Sequence, residues 1–192
     1  NSDGNVRRLE TARRSLLSDN EKGPARQPIP GGPPGGPGGP LPAGAGGGAF
    51  APIRAEVEVR DCEIDGTIPD DLNGGFYATG PDPQYPLAPG NIPFDGEGHV
   101  RVFRIRNGRV DYRTRYARTE RYVAQDRARR LLMPMYRNPD LDDPSVKGMS
   151  RSTANTHVIN HGKLILALKE DSPPTAMDLE TLETVDPVYT FD

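Results

Sequence analysis

From Gly23 to Gly48 the chain reads GPARQPIPGGPPGGPGGPLPAGAGGG, almost entirely glycine, proline and alanine. Such a tract cannot bury enough apolar surface to offset the entropy lost on ordering it. Twelve of the 22 glycines and eight of the 21 prolines fall in the first fifty residues. A core must therefore come from the remaining 140 or so positions, enough for a single small domain. Residues 1–50 are expected to be a disordered, basic and Gly/Pro-rich tail and linker, and residues 51–192 the folded part. Within the tail, Leu9, Ala12, Leu16 and Leu17 form a rough stripe that predicts a short basic amphipathic helix over Val6 to Leu17.

The net charge is -3 over 192 residues, without the basic excess of a nucleic-acid-binding face, so no nucleic-acid partner is expected. Arg127, Arg129 and Arg130 cluster, but their acidic surroundings read as solvated surface. A lone cysteine, Cys62, excludes an internal disulfide and agrees with a reducing, cytoplasmic location. No apolar run has the length of a membrane span, so no transmembrane segment is expected. The sequence opens on Asn1 and shows no hydrophobic signal-peptide region, which suggests that its true start is missing.

Order is expected from Ala55. Val57 and Val59, with Cys62 and Ile64, alternate among charged residues and predict a strand with one exposed face. A turn through Thr67–Gly75 leads to Phe76 and Tyr77. Pro81, Pro83, Pro86, Pro89 and Pro93 then predict a rigid loop without regular structure. Gly96 and Gly98 of the FDGEG stretch permit positive φ, a tight turn and close backbone approach. Val100, Val102, Phe103 and Ile105 supply a strand, Asn107-Gly108 a hairpin turn, and Val110, Tyr112 and Tyr116 one face of the return strand. Tyr122 to Leu132 reads as helix, ended before Asn138-Pro139.

The run Leu164-Ile165-Leu166-Ala167-Leu168, introduced by a turn at His161-Gly162, fits a strand buried on both faces. Lys169 and Glu170 follow at once, either as the solvated end of that strand or as the rim of a polar site. Pro173-Pro174, Ala176-Met177 and the turn Asp178–Thr181 come next, with Leu182, Val185 and Val188 continuing the pattern. Short strands joined by tight turns make a meander, and meanders around an axis make a propeller.

The segment TANTHVINHGKLILALKEDSPPTAMDLETLET, preceded by YRNPDLDDPSVKGM, FDGEGHVRVFRI and a GTIPDDLNG turn before FYATGPDP, resembles the N-terminal part of the carotenoid cleavage oxygenase family. The lignostilbene dioxygenase branch is the nearest likeness, and it covers Val57 to Asp192. The resemblance implies an all-β fold, a seven-bladed β-propeller of which this chain would hold the first blades. It implies non-haem Fe(2+) held by four histidines, O2 as co-substrate, and an aromatic or polyene small molecule whose C=C bond is cleaved to two carbonyl products. A 4-hydroxystilbene-type phenylpropanoid is the substrate the branch suggests. A carotenoid or apocarotenoid of the same fold class, and a non-catalytic propeller that only binds a partner, are the alternatives.

Site residues follow from the same resemblance. None of His99, His157 and His161 occupies a ligand position of the family, so structural or exposed roles are expected for them. The first ligand is expected after Asp192, and this chain by itself is expected to be inactive. Glu170 matches a carboxylate that accepts the outer N–H of an iron-ligating imidazole and so fixes its tautomer and ring plane. Tyr136 and Lys169 match a pair that grips a substrate hydroxyl, against the alternative of an exposed lysine beside a packing tyrosine. Phe94 matches an aromatic facing the substrate, with core packing as the other possibility.

Overall fold

Asn107 and Gly108 have φ of 51° and 73°, the two left-handed conformations that a two-residue hairpin turn demands. They join β3 (Glu97–Arg106) to β4 (Arg109–Tyr116), the hairpin expected from the sequence. The structure, a computed structural model, describes residues 51–88 and 91–191. The tail over 1–50 and its predicted helix lie outside the described residues.

β1 (Glu58–Val59) and β2 (Gly74–Asp82) complete a four-stranded antiparallel sheet of order β1-β4-β3-β2. Two expectations are corrected here. The strand expected up to Ile64 is only two residues long, and left-handed residues interrupt it on both sides, Arg54 with φ 51° and Asp61 with φ 53°. The nine-residue β2, in register with β3 from Gly74↔Ile105 to Asp82↔Glu97, runs two residues into the predicted proline loop, through Pro81 and Asp82. Pro81 is tolerated because β2 is an edge strand, where only alternate N–H groups serve the ladder.

Gly96 and Gly98 do not take positive φ; their second expected use, close approach, is what the fold exploits. A Cβ on Gly96 would stand 2.8 Å from Pro83 Cδ, and one on Gly98 would overlap the Ala154 carbonyl. Gly98 N–H donates to the Thr153 carbonyl at 2.6 Å, which ties β3 to the segment entering the second sheet.

That sheet is a meander of β5 (His157–His161), β6 (Leu164–Lys169), β7 (Ser172–Asp178) and β8 (Thr184–Asp186). Ile165, Leu166 and Ala167 are 0–1% exposed, so β6 is buried on both faces as its apolar run predicts. β7 starts earlier than the prolines suggest. Between the Lys169↔Ser172 and Ala167↔Thr175 pairs it carries one extra residue, and this bulge absorbs Pro173 and Pro174.

The two sheets share a core built from Val100, Val102, Val158, Ile165, Met177 and Leu182. At its margin the Tyr77 hydroxyl and Arg104 Nη2 both donate to the Leu179 carbonyl, at 3.0 and 2.8 Å. Helix α1 (Glu120–Ala128) starts where Thr119 Oγ1 accepts from Tyr122 N–H and ends at left-handed Arg129. It is thus shorter than predicted, and Leu132 and Met133 leave it to form a second small core with Val146.

Candidate functional site

β6 ends on Lys169, and the segment after α1 carries Tyr136 up to it. The Lys169 side chain is 7% exposed, with Nζ 3.1 Å from Glu170 Oε2 and 4.8 Å from the centroid of the Tyr136 ring. An ammonium removed from water needs such compensation, here an adjacent carboxylate and a π face. Glu170 is more open, with 57% of its side chain exposed. Thr156 Oγ1 lies 3.2 and 3.1 Å from its two carboxylate oxygens. Its own backbone N–H, then the Lys169 ammonium, hold its carboxyl below the usual carboxylate range.

The Arg137 guanidinium stands 5.2 Å from the Tyr136 centroid and pairs with Asp171 at 3.6 Å, bridging the two chain segments that carry Tyr136 and Lys169. Both open into a cleft of about 830 Å³ whose walls include Met149, Pro139, Pro173 and Val188. Charged side chains, among them Glu120, Arg121, Arg151 and Asp171, share the lining with these apolar ones, and such a mixed cleft suits a small molecule that carries polar groups on an apolar frame.

The structure therefore brings together three of the four site residues expected from sequence. Phe94 stands apart: it is 67% exposed and is not among the residues lining the cleft, while its carbonyl accepts from Asn155 Nδ2 at 2.6 Å. The histidines are dispersed. His99 is buried on β3 with Nδ1 3.6 Å from Asp82, and its ring lies 4.6 Å from Tyr116. Burial holds its pKa below the ordinary histidine value, against the opposing pull of Asp82. His157 and His161 are exposed on β5. Among the described residues no three His, Cys, Asp or Glu side chains meet as a metal-binding group. These side chains do not fit an iron site. Nor is any helix among them long and apolar enough to cross a membrane.

Sequence reasoning missed a buried polar network beside the cleft. Arg121, 1% exposed, donates from Nη1 to Asp95 Oδ1 at 2.7 Å and from Nε to Glu97 Oε1 at 3.2 Å. Gln125 Nε2 adds a 2.7 Å bond to the same Glu97 oxygen. The available signal was Asp95 and Glu97 at the head of an apolar strand, because carboxylates that enter a core demand a buried cation.

A family model described as retinal pigment epithelial membrane protein (RPE65) matches residues 50–192. The chain is 48% identical over 135 residues to resveratrol cleavage oxygenase 1 of Chaetomium globosum, covering 70% of this chain and 23% of that protein. It is 43% identical over 137 residues to an isoeugenol monooxygenase of Pseudomonas nitroreducens, covering 71% and 29%. The crystal structure of Pseudomonas brassicacearum lignostilbene dioxygenase is similar with a TM-score of 0.71 at 48% identity, over 74% of this chain and 30% of that one. The chain spans less than a third of the length of these relatives.

Proposed function

The chain belongs to the RPE65 family of carotenoid oxygenases, and from that membership we propose that it is part of a non-haem Fe(2+) dioxygenase that splits the central C=C bond of a 4-hydroxystilbene-type phenylpropanoid into two carbonyl products. Its two four-stranded antiparallel sheets are blades of the family's β-propeller. The observation that carries the substrate reading is Lys169, a nearly buried ammonium on the wall of the cleft and over the ring of Tyr136.

A phenol entering the cleft loses water partners, at about 1–3 kcal/mol if nothing replaces them. The Tyr136 hydroxyl and the Lys169 ammonium are the replacements. A neighbouring ammonium also favours phenolate over phenol and lowers the phenol's pKa. The oxygen then feeds electron density through the ring toward the alkene. Glu170 fixes the height of Lys169 through their 3.1 Å ion pair. Its open carboxylate edge is free to accept the outer N–H of an imidazole contributed from elsewhere in the full-length protein. Iron held by ligands from outside the described residues would supply the activation of O2.

The test follows aldehyde formation by the full-length, iron-loaded protein from a 4-hydroxystilbene, its 4-methoxy analogue and an apocarotenoid, with Lys169→Met alongside. Cleavage of the hydroxystilbene alone, largely abolished in Lys169→Met, is the expected result. Cleavage of the apocarotenoid alone, indifferent to Lys169, replaces the stilbene with a polyene on the same fold. No cleavage of any of the three leaves a binding module.

A further inference from the structure

Tyr136 sits on a stretch without regular structure, yet four consecutive residues just before it are held by side chains from three other parts of the fold. Gln125 Oε1, on α1, accepts from the N–H groups of Leu132 and Met133, at 3.1 and 3.3 Å. Asn91 Nδ2 donates to the Pro134 carbonyl at 2.7 Å. Arg151 Nη2 donates to the Met135 carbonyl at 2.6 Å and holds Asp142 with its other nitrogen.

Gln125 is 0% exposed, and its amide fits only one way round. Nε2 faces Glu97 Oε1 at 2.7 Å; reversal would set an NH2 group against two N–H donors and an oxygen against a carboxylate. Glu97 is fixed in turn by Arg121 Nε at 3.2 Å and by the Gln84 N–H at 2.8 Å. Asn91 is anchored likewise, through Asp95 Oδ2 at 3.0 Å. The chain of contacts runs from the FDGEG carboxylates through two side-chain amides to the backbone that presents Tyr136.

We infer that Gln125 and Asn91 are positioning residues that set Tyr136 against Lys169, and so set the preference for a hydroxylated substrate. Neither touches the substrate. The consequence for catalysis rests on the phenol-gripping role proposed for Tyr136. A residue that acts only through Tyr136 loses its effect once the tyrosine hydroxyl is gone, whereas one that merely supports the fold does not.

The experiment uses the full-length protein and the ratio of kcat/KM for a 4-hydroxystilbene over its 4-methoxy analogue. Gln125→Met, which keeps volume and removes both hydrogen-bonding functions, is expected to lower that ratio about tenfold. In a Tyr136→Phe background it is expected to change the ratio no further. Asn91→Ala, at a partly exposed position, carries the same comparison from the other side of the loop if Gln125→Met does not fold. An unchanged ratio in both variants, or a loss that persists undiminished beside Tyr136→Phe, overturns the inference. Amide hydrogen exchange at Leu132 and Met133 reads the cradle without substrate: faster exchange confined to this segment in Gln125→Met or Asn91→Ala supports it, and unchanged rates overturn it. A wild type with no hydroxyl preference removes the phenol reading, and exchange then decides the cradle separately.

Discussion

Lys169 Nζ lies 4.8 Å from the centroid of the Tyr136 ring, so the two side chains meet across an aromatic face and not through the tyrosine oxygen. A cation over such a face contributes about 0.5–1 kcal/mol when exposed and about 2 when desolvated. With 7% of its side chain exposed, Lys169 is near the desolvated limit. The ring thus places the ammonium and leaves the tyrosine hydroxyl available for another partner.

That division predicts different outcomes for two substitutions at one position. Tyr136→Phe keeps the face, so Lys169 stays placed; the loss is one hydrogen bond, about tenfold in kcat/KM for the hydroxystilbene and none for the methoxy analogue. Tyr136→Leu removes the face as well and is expected to cost several-fold more. Equal losses in Phe and Leu variants would mean that the ring does not place Lys169.

Glu170→Gln in the full-length protein is expected to weaken iron retention about 10–100-fold, read as metal content after dialysis against a competing chelator. Thr156 can still donate to the Gln oxygen, so the side chain stays in place while the charge is lost. Unchanged retention would confine Glu170 to its pairing with Lys169.

Gly98→Ala tests the seam between β3 and the segment before β5. The new Cβ meets backbone, the Ala154 carbonyl, and not a yielding side chain. It also threatens the Gly98 N–H bond to Thr153, 2.6 Å long. Overpacking against fixed atoms costs about 1–3 kcal/mol, expected as a lower denaturant midpoint with little change in slope. A midpoint within error of wild type would mean that the seam slides.

His99 gives the fold a pH dependence of definite sign. Burial favours the neutral imidazole and lowers its folded pKa below the ordinary histidine value, while Asp82 and Glu56 oppose the shift and Arg101 adds to it. Its stabilisation is therefore complete above the ordinary histidine pKa and is lost as pH falls through the lower folded value, because the unfolded chain binds the proton first. His99→Gln is expected to flatten the fall of the thermal midpoint from pH 7 toward acid. Parallel curves for wild type and variant would remove His99 from the effect.

Local chemistry made part of this molecule legible. Asn107-Gly108 specified a turn that few other dipeptides adopt, and the apolar run before Lys169 specified a buried strand whose end lies at the cleft. Pro81 misled, because its tolerance depends on an edge position, and the bulge that absorbs Pro173-Pro174 was equally invisible; both are set by partner strands. Arg121 and Gln125 drew no notice in the sequence; their partner Glu97 is 24 and 28 positions away, beyond what periodicity within one helix reports. The meeting of Tyr136 with Lys169 came from resemblance alone, since the 32 residues between them carry no local signal that they touch.

The suspended backbone of Leu132–Met135 has a thermodynamic consequence. A binding loop that is loose in the free protein loses its disorder when ligand arrives, at about 1–2 kcal/mol for each backbone residue fixed. Here that ordering accompanies folding, before any ligand is present. Association at the Tyr136 corner should therefore show a small entropic penalty in calorimetry and a rate set by diffusion into the cleft, without a slow rearrangement after encounter.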